Sequence, residues 1–365
     1  MRFVRTSDLA KGMRLAKPIY NKTGVLLYDR DTKLTKQGIN SIKNFKLIGI
    51  YILEPVEPLP PMTEDDVEFE RFQTMSVFGL KEAMDALMAG KKPVNLGGLV
   101  KMIVKNYAKR SNRVSVMQNV RSCDDYVYKH CLNVATLAAL MGARLRISVE
   151  DMKDIVTAAL VHDIGRLYIE QDIVEKLEHT DDDRNYMTRC EMRGNKLLQE
   201  CGYFNDNIKN MLKQKLELQN NNIDANDRTY SQCSRILQIA EKYDDMTSMQ
   251  IGVEPISDVI AVRELLGKME IYDEKVVAAL IDSLKILYPG VCVEFSNNYS
   301  GLVIRANNKN VLRPLVLCFN DNQLYNFDDE NLVATLQIKD IMKTMDKRVR
   351  INQATIDEYM RRYNK

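Results

Sequence analysis

From residue 66 to about residue 287 the apolar side chains recur at helical spacing, and this pattern commits most of the chain to a mainly α architecture. Val134, Leu137, Met141 and Leu145 form one stripe. Ser148 followed by Asp151 fits the cap of the next helix, which carries Ile155, Ala158, Ala159 and Val161 up to His162 and Asp163. Asp206 is placed to cap another, with Ile208, Leu212 and Leu216 on one side. Ile236, Ile239, Ala240 and Tyr243 mark a further helix, and Val276, Val277, Leu280, Leu284 and Leu287 mark the last.

The flanks read differently. Residues 1–54 read as a small α/β domain. A turn at Asn21-Lys22-Thr23-Gly24 leads into Val25–Tyr28, a hairpin pattern. An amphipathic stretch with Ile39, Ile42 and Phe45 follows, then a strand from Ile48 to Leu53. Residues 55–65 hold four of the nine prolines and the start of an acidic run, so a stiff linker leads into a helix start. The helical domain is expected over 66–288. Over 289–338, short β-type runs separated by Asn, Asp and Gly turns predict a small β-rich appendage. Residues 339–365 return to helical spacing and carry eight Lys or Arg against four Asp or Glu, a basic helical tail.

Composition removes several functions. A net charge of +2 gives no global field for nucleic acid, and there is no helix-turn-helix or zinc signature. Three histidines, His130, His162 and His179, exclude any site needing four imidazoles. The seven cysteines lack C-x-x-C spacing and read as reduced and mostly buried. The first residues have no apolar signal region, and the apolar run Ile155–Val161 is too short to span a membrane, so a cytoplasmic location is expected.

One constellation carries chemistry. His130, the His162-Asp163 pair and the carboxylate cluster at Glu241, Asp244 and Asp245 fall on three different helices. Imidazole and carboxylate brought together from separate helices is how a bundle builds a metal site in its core. The donor types suit a hard or borderline ion such as Mn, Fe or Mg. The bland alternative is a hydrogen-bonded helix terminus. His179, in a charged loop, is expected to be exposed.

Tyr126–Leu145, Asp154–Ile169 and Arg235–Ser248 resemble the successive core motifs of the HD superfamily, and more narrowly the HD-GYP family of cyclic-di-GMP phosphodiesterases. The N-terminal residues and the stretch after Tyr288 resemble that family's accessory domains. The resemblance implies an HD-type helical bundle in which His130, His162, Asp163 and Glu241 hold a divalent ion. It places Asp163 and Arg166 in the catalytic role, and Arg166 and Lys215 against phosphate. Glu241 stands where the family has Asp, and Arg166 where it has Lys.

Other family positions are missing. Cys190, Lys215 and Leu216 stand where further histidine ligands are expected, Tyr186 replaces a carboxylate, and the Gly-Tyr-Pro loop is absent. Leu216 now reads as core. The resemblance therefore implies a degenerate metal site with one ion or none. Two functions follow: a cyclic-dinucleotide or nucleotide-binding signalling module with weak or no hydrolysis, or an active single-metal phosphohydrolase. A signalling-protein partner and a homodimer are the further expectations; no membrane span and no nucleic acid are expected.

Overall fold

The computed structural model describes residues 2–21, 25–53, 64–109, 113, 120–220, 223–307, 309–342, 358 and 361. Strands β1 (Arg2–Arg5), β2 (Arg14–Leu15), β3 (Ile19–Tyr20) and β4 (Leu26–Tyr28) precede helix α1 (Lys36–Asn44) and strand β5 (Gly49–Leu53). β5 sits between β1 and β2 in an antiparallel sheet, and β3 pairs with β4 as the sequence pattern implies, although turn residues 22–24 lie outside the described set. Thr35 caps α1 by accepting from the Gly38 N–H at 3.0 Å. Ile39 and Ile42 bury against Val4, Leu15, Ile50 and Ile52. Phe45 does not join them: it lies past the helix end and is exposed.

The central block holds α2 (Glu64–Met88), α3 (Leu96–Tyr107), α4 (Tyr126–Leu145), α5 (Val149–Val161), α6 (Gln171–Val174), α7 (Asp181–Glu200), α8 (Asp206–Asn220), α9 (Gln232–Thr247), α10 (Asp258–Leu266) and α11 (Glu274–Ser283). The proline-rich linker falls on residues outside the described set, and α2 already begins at Glu64. Helix α4 is the hub. It is buried nearly all round and packs on α2, α3, α5, α9 and α11. Ser148 caps α5 from the Asp151 N–H at 3.0 Å, as its position suggests. The cap of α8 is Asn205, which accepts from the Ile208 N–H at 2.9 Å; Asp206 is the first helical residue.

Strands β6 (Cys292–Phe295), β7 (Ser300–Arg305), β8 (Leu315–Cys318) and β9 (Leu324–Asn326), helix α12 (Glu330–Thr335) and strand β10 (Ile338–Ile341) complete the chain. The sheet is antiparallel with the order β10-β6-β7-β8-β9. One expectation changes here. Residues 339–341 are strand, not tail, because β10 closes the sheet against β6; most of 343–365 lies outside the described residues. The β-rich unit is present as expected, and it packs on the helical block. Val293, Phe295, Val303 and Val316 share one continuous apolar core with Leu280, Leu284 and Leu287, the last two lying beyond α11.

All seven cysteines are free, five of them buried. Among the described residues no helix is long and apolar enough to cross a membrane.

Candidate metal centre

Helix α5 ends at His162, and Asp163 begins the turn that becomes a short 3-10 helix, Ile164–Tyr168. Two glycines let α7 reach this turn. A Cβ on Gly165 would lie 2.6 Å from the Glu191 backbone, and one on Gly194 would lie 2.3 Å from Gly165 Cα. Helix α4 brings His130 to the same point, and α9 brings Glu241 and Asp244.

His130, His162, Asp163 and Glu241 each offer a ligand atom, and these atoms lie within 4.8 Å of one another. The imidazole tautomers can be read from their partners. His130 Nδ1–H donates to Asp244 Oδ2 at 2.6 Å, and His162 Nδ1–H donates to the Ala159 carbonyl at 2.7 Å. Both Nε2 atoms therefore face inward, 3.2 Å apart. Two neutral imidazoles in this arrangement oppose lone pairs, so the gap calls for a cation, either a metal ion or a proton. Two nitrogens each about 2.1 Å from one ion, at an angle of about 90–109°, sit about 3.0–3.4 Å apart. The four donors fit a divalent ion on these grounds.

Asp244 orients the site rather than adding a ligand. It is fully buried and takes hydrogen bonds from both Arg121 Nη2 (2.7 and 3.0 Å to its two oxygens) and Asn133 Nδ2 (2.7 Å), besides His130 and the Ser248 hydroxyl. Burial pushes its carboxyl up, but Arg121 and His130 outweigh this and hold it far below the usual range. Arg121 and Asn133 were not singled out from the sequence. Their only signal is a buried charge and amide next to a His, visible once α4 and α9 are packed.

The other carboxylates are also paired. Arg166 Nε lies 2.8 Å from Asp163 Oδ2, and Lys215 Nζ lies 2.7 Å from Glu241 Oε2. Neither carboxylate oxygen takes an aligned hydrogen bond. Burial raises the Asp163 and Glu241 carboxyls; Arg166 for Asp163 and Lys215 for Glu241, each together with the two imidazoles, reverse this and lower them. Burial lowers His162 to about 4, so it is neutral at pH 7. Burial also lowers His130, yet Asp244 and the neighbouring carboxylates raise it overall.

Several expected positions sit elsewhere. Lys215 is buried, and Leu216 is only half-buried, so the core residue there is Leu218. Cys190 packs in a small apolar cluster with Ile169, Val174 and Tyr186. His179 is half-buried and its Nε2–H donates to the Ile173 carbonyl at 3.0 Å, so it is not a free loop residue.

Residues 127–286 match the family model of the HD domain. The match runs from α4 to just past α11, the helices that carry the four candidate ligands. Over 229 residues the chain is 21% identical to a cyclic di-GMP phosphodiesterase of Pseudomonas aeruginosa, covering 60% of this chain and 54% of the relative. The chain thus spans about half the length of that curated relative. It also overlays a solved HDG"Y"P protein from Bdellovibrio bacteriovorus at 15% identity and a TM-score of 0.44, over 76% of this chain and 97% of that one.

Proposed function

We propose that this chain is a cyclic-dinucleotide signalling protein whose HD centre holds one divalent ion at most and hydrolyses its ligand weakly or not at all. His130, His162, Asp163 and Glu241 would hold the ion, and Arg166 would meet the ligand's phosphate. The similarity to a cyclic di-GMP phosphodiesterase supports the ligand class. The observation that carries the reading is charge balance. Asp163, Glu241 and Asp244 are each in contact with a fixed cation, Arg166, Lys215 and Arg121. These three pairs cancel without metal, which leaves Asp245 beside His130 and Glu191 beside Arg166 as the further carboxylates at the edge. A second ion would have to displace Lys215 from Glu241, and an ammonium cannot ligate. Without a two-ion clamp on both the attacking and leaving oxygens, much of the stabilisation of an in-line displacement is lost.

The facing Nε2 atoms favour a second reading, an active single-ion phosphohydrolase. A bound ion would acidify a water and polarise the phosphoryl oxygen. The chain's own part would be to hold Arg166 beside that oxygen, keep Asp163 ionised and exclude bulk water. One experiment separates the two: metal content per chain without chelator, followed by a cyclic di-GMP assay with Mn²⁺ or Fe²⁺. Slow or absent turnover with one ion or none supports the first reading. Rapid turnover abolished by His162→Ala and Asp163→Ala establishes the second.

A further inference from the structure

The N-terminal α/β unit is joined to the helical block beside the candidate centre. Leu47 bridges antiparallel to Ser122. The Ile48 N–H donates to the Arg121 carbonyl at 3.0 Å and the Cys123 N–H to the Lys46 carbonyl at 3.1 Å. Lys46 Nζ adds ion pairs to Asp124 (3.8 Å) and Glu175 (3.6 Å). On the N-terminal side, Thr6 binds the carbonyls of both Leu47 and Ile48, which fixes residues 47–48 to the end of β1.

The same Arg121 whose carbonyl enters this bridge sends its guanidinium inward. It is 1% exposed and grips both oxygens of Asp244. Asp244 in turn holds His130 Nδ1, which aims Nε2 at His162. Both bonds come from one nitrogen, Nη2, so the carboxylate is tied to a single buried point of the guanidinium, and Asn133 and Ser248 fix its Oδ1 from other sides. We infer that Arg121 is a positioning residue that transmits the placement of the N-terminal unit to the His130 imidazole. A shift of residues 46–48 moves the Arg121 backbone, and its buried side chain must then pull on Asp244 or let go. The N-terminal unit, whatever it senses, has a physical route to the centre. This goes beyond the metal reading and rests on it only for the functional consequence.

With three histidines in the chain, ¹⁵N-histidine labelling gives three imidazole spin systems. His130 in the metal-free wild type should show a strongly downfield, slowly exchanging Nδ1 proton. Arg121→Lys keeps the charge but is shorter and cannot place its nitrogen where Nη2 bridges the two Asp244 oxygens; it should shift this signal and speed its exchange while leaving His179 in place as a control for folding. Lys46→Glu, at the surface, turns two attractions into repulsions. It should shift His130 in the wild-type background and cause no further shift in Arg121→Lys. Non-additivity of this kind is the direct evidence for coupling. An unchanged His130 in Arg121→Lys, or equal Lys46→Glu shifts with and without Arg121, overturns the proposal. If Arg121→Lys does not fold, Lys46→Glu alone decides: no His130 shift refutes the link.

Zn²⁺ added to the same samples tests the centre separately. If neither His130 nor His162 moves, the metal reading fails while the Arg121 link is still judged on the metal-free spectra. If both move, Arg121→Lys should weaken Zn²⁺ binding roughly 10–100-fold.

Discussion

Replacing Lys215 by methionine tests whether its ammonium serves as a built-in counter-charge. Its Nζ lies 2.7 Å from Glu241 Oε2, with side chains only 7% and 3% exposed. Removing one partner of a buried pair strands the other charge, at a cost of about 3–5 kcal/mol. For a chain of this size that lowers the melting temperature by roughly 4–7 °C. The loss should be pH-dependent. In the wild type, burial raises the Glu241 carboxyl, and Lys215, helped by His162 and His130, brings it below its usual value. The pair therefore contributes stability above the unfolded carboxylate value of about 4.3, lost as pH falls through the lower folded value. In Lys215→Met burial dominates and the folded value rises, so the deficit is full at neutral pH and shrinks as the solution is acidified. A divalent ion should also repair it. At a concentration near 100 times its Kd, binding to the folded state returns about 2.7 kcal/mol. Calorimetry at pH 5, 6 and 7.5, with and without Mn²⁺, reads all of these. The reasoning fails if the variant melts with the wild type in metal-free buffer, or if Mn²⁺ raises its melting point no more than it does the wild type's.

His162 provides a separate pH test. Its folded value near 4 lies below the unfolded value of about 6.5, so the unfolded state takes up the proton first. The wild type should lose about 3 kcal/mol relative to His162→Gln as pH falls from about 6.5 to 4, by chemical denaturation; parallel curves would refute it. Gly194→Ala drives a Cβ to 2.3 Å from Gly165 Cα, so α7 must shift away from the His162-Asp163 turn. About 1–3 kcal/mol should be lost along with metal binding, measured by melting and titration. Asn205→Ala should cost about 1 kcal/mol and Asp206→Ala far less, because Asn205 is the cap of α8. Phe295→Ala, at a fully buried ring packed on Tyr325 and Phe327, should cost about 3–5 kcal/mol and destabilise the helical block together with the sheet.

The long helices were legible because apolar residues recur at helical spacing over several turns: the α4 stripe and the Ser148 cap are local signals that packing does not overrule, although α4 proves buried nearly all round. The choice of Asn205 over Asp206 was not, since both side chains are competent caps and the backbone angle decides. The four candidate ligands could be picked out through His-Asp adjacency and their motifs. Their surroundings could not. Asp244 lies three residues from Glu241 on the same helical face, and nothing local says that one carboxylate meets the Nε2 edges and the other an Nδ1 edge. Arg121 and Lys215 owe their roles to contacts more than 20 residues away in the chain. Strand β10 was hidden for the same reason: four residues with weak alternation become a strand only because β6 presents a free edge.

That last strand bears on how the protein is made. β10 pairs with β6, Arg263 of α10 donates to the Ile338 and Lys339 carbonyls, and buried Asp340 accepts from Ser257, the cap of α10. These residues leave the ribosome only after the helices that hold the candidate ligands. Until then one edge of β6 and the apolar surface beneath α10 stay uncovered, although all of α2–α11 has already emerged. Synthesis thus leaves the nascent helical block waiting on β10, the interval in which an open sheet edge is most exposed to mispairing. A chain ended before residue 338 would remain in that condition, and its failure to accumulate in cells would be a defect of completion rather than of the metal centre.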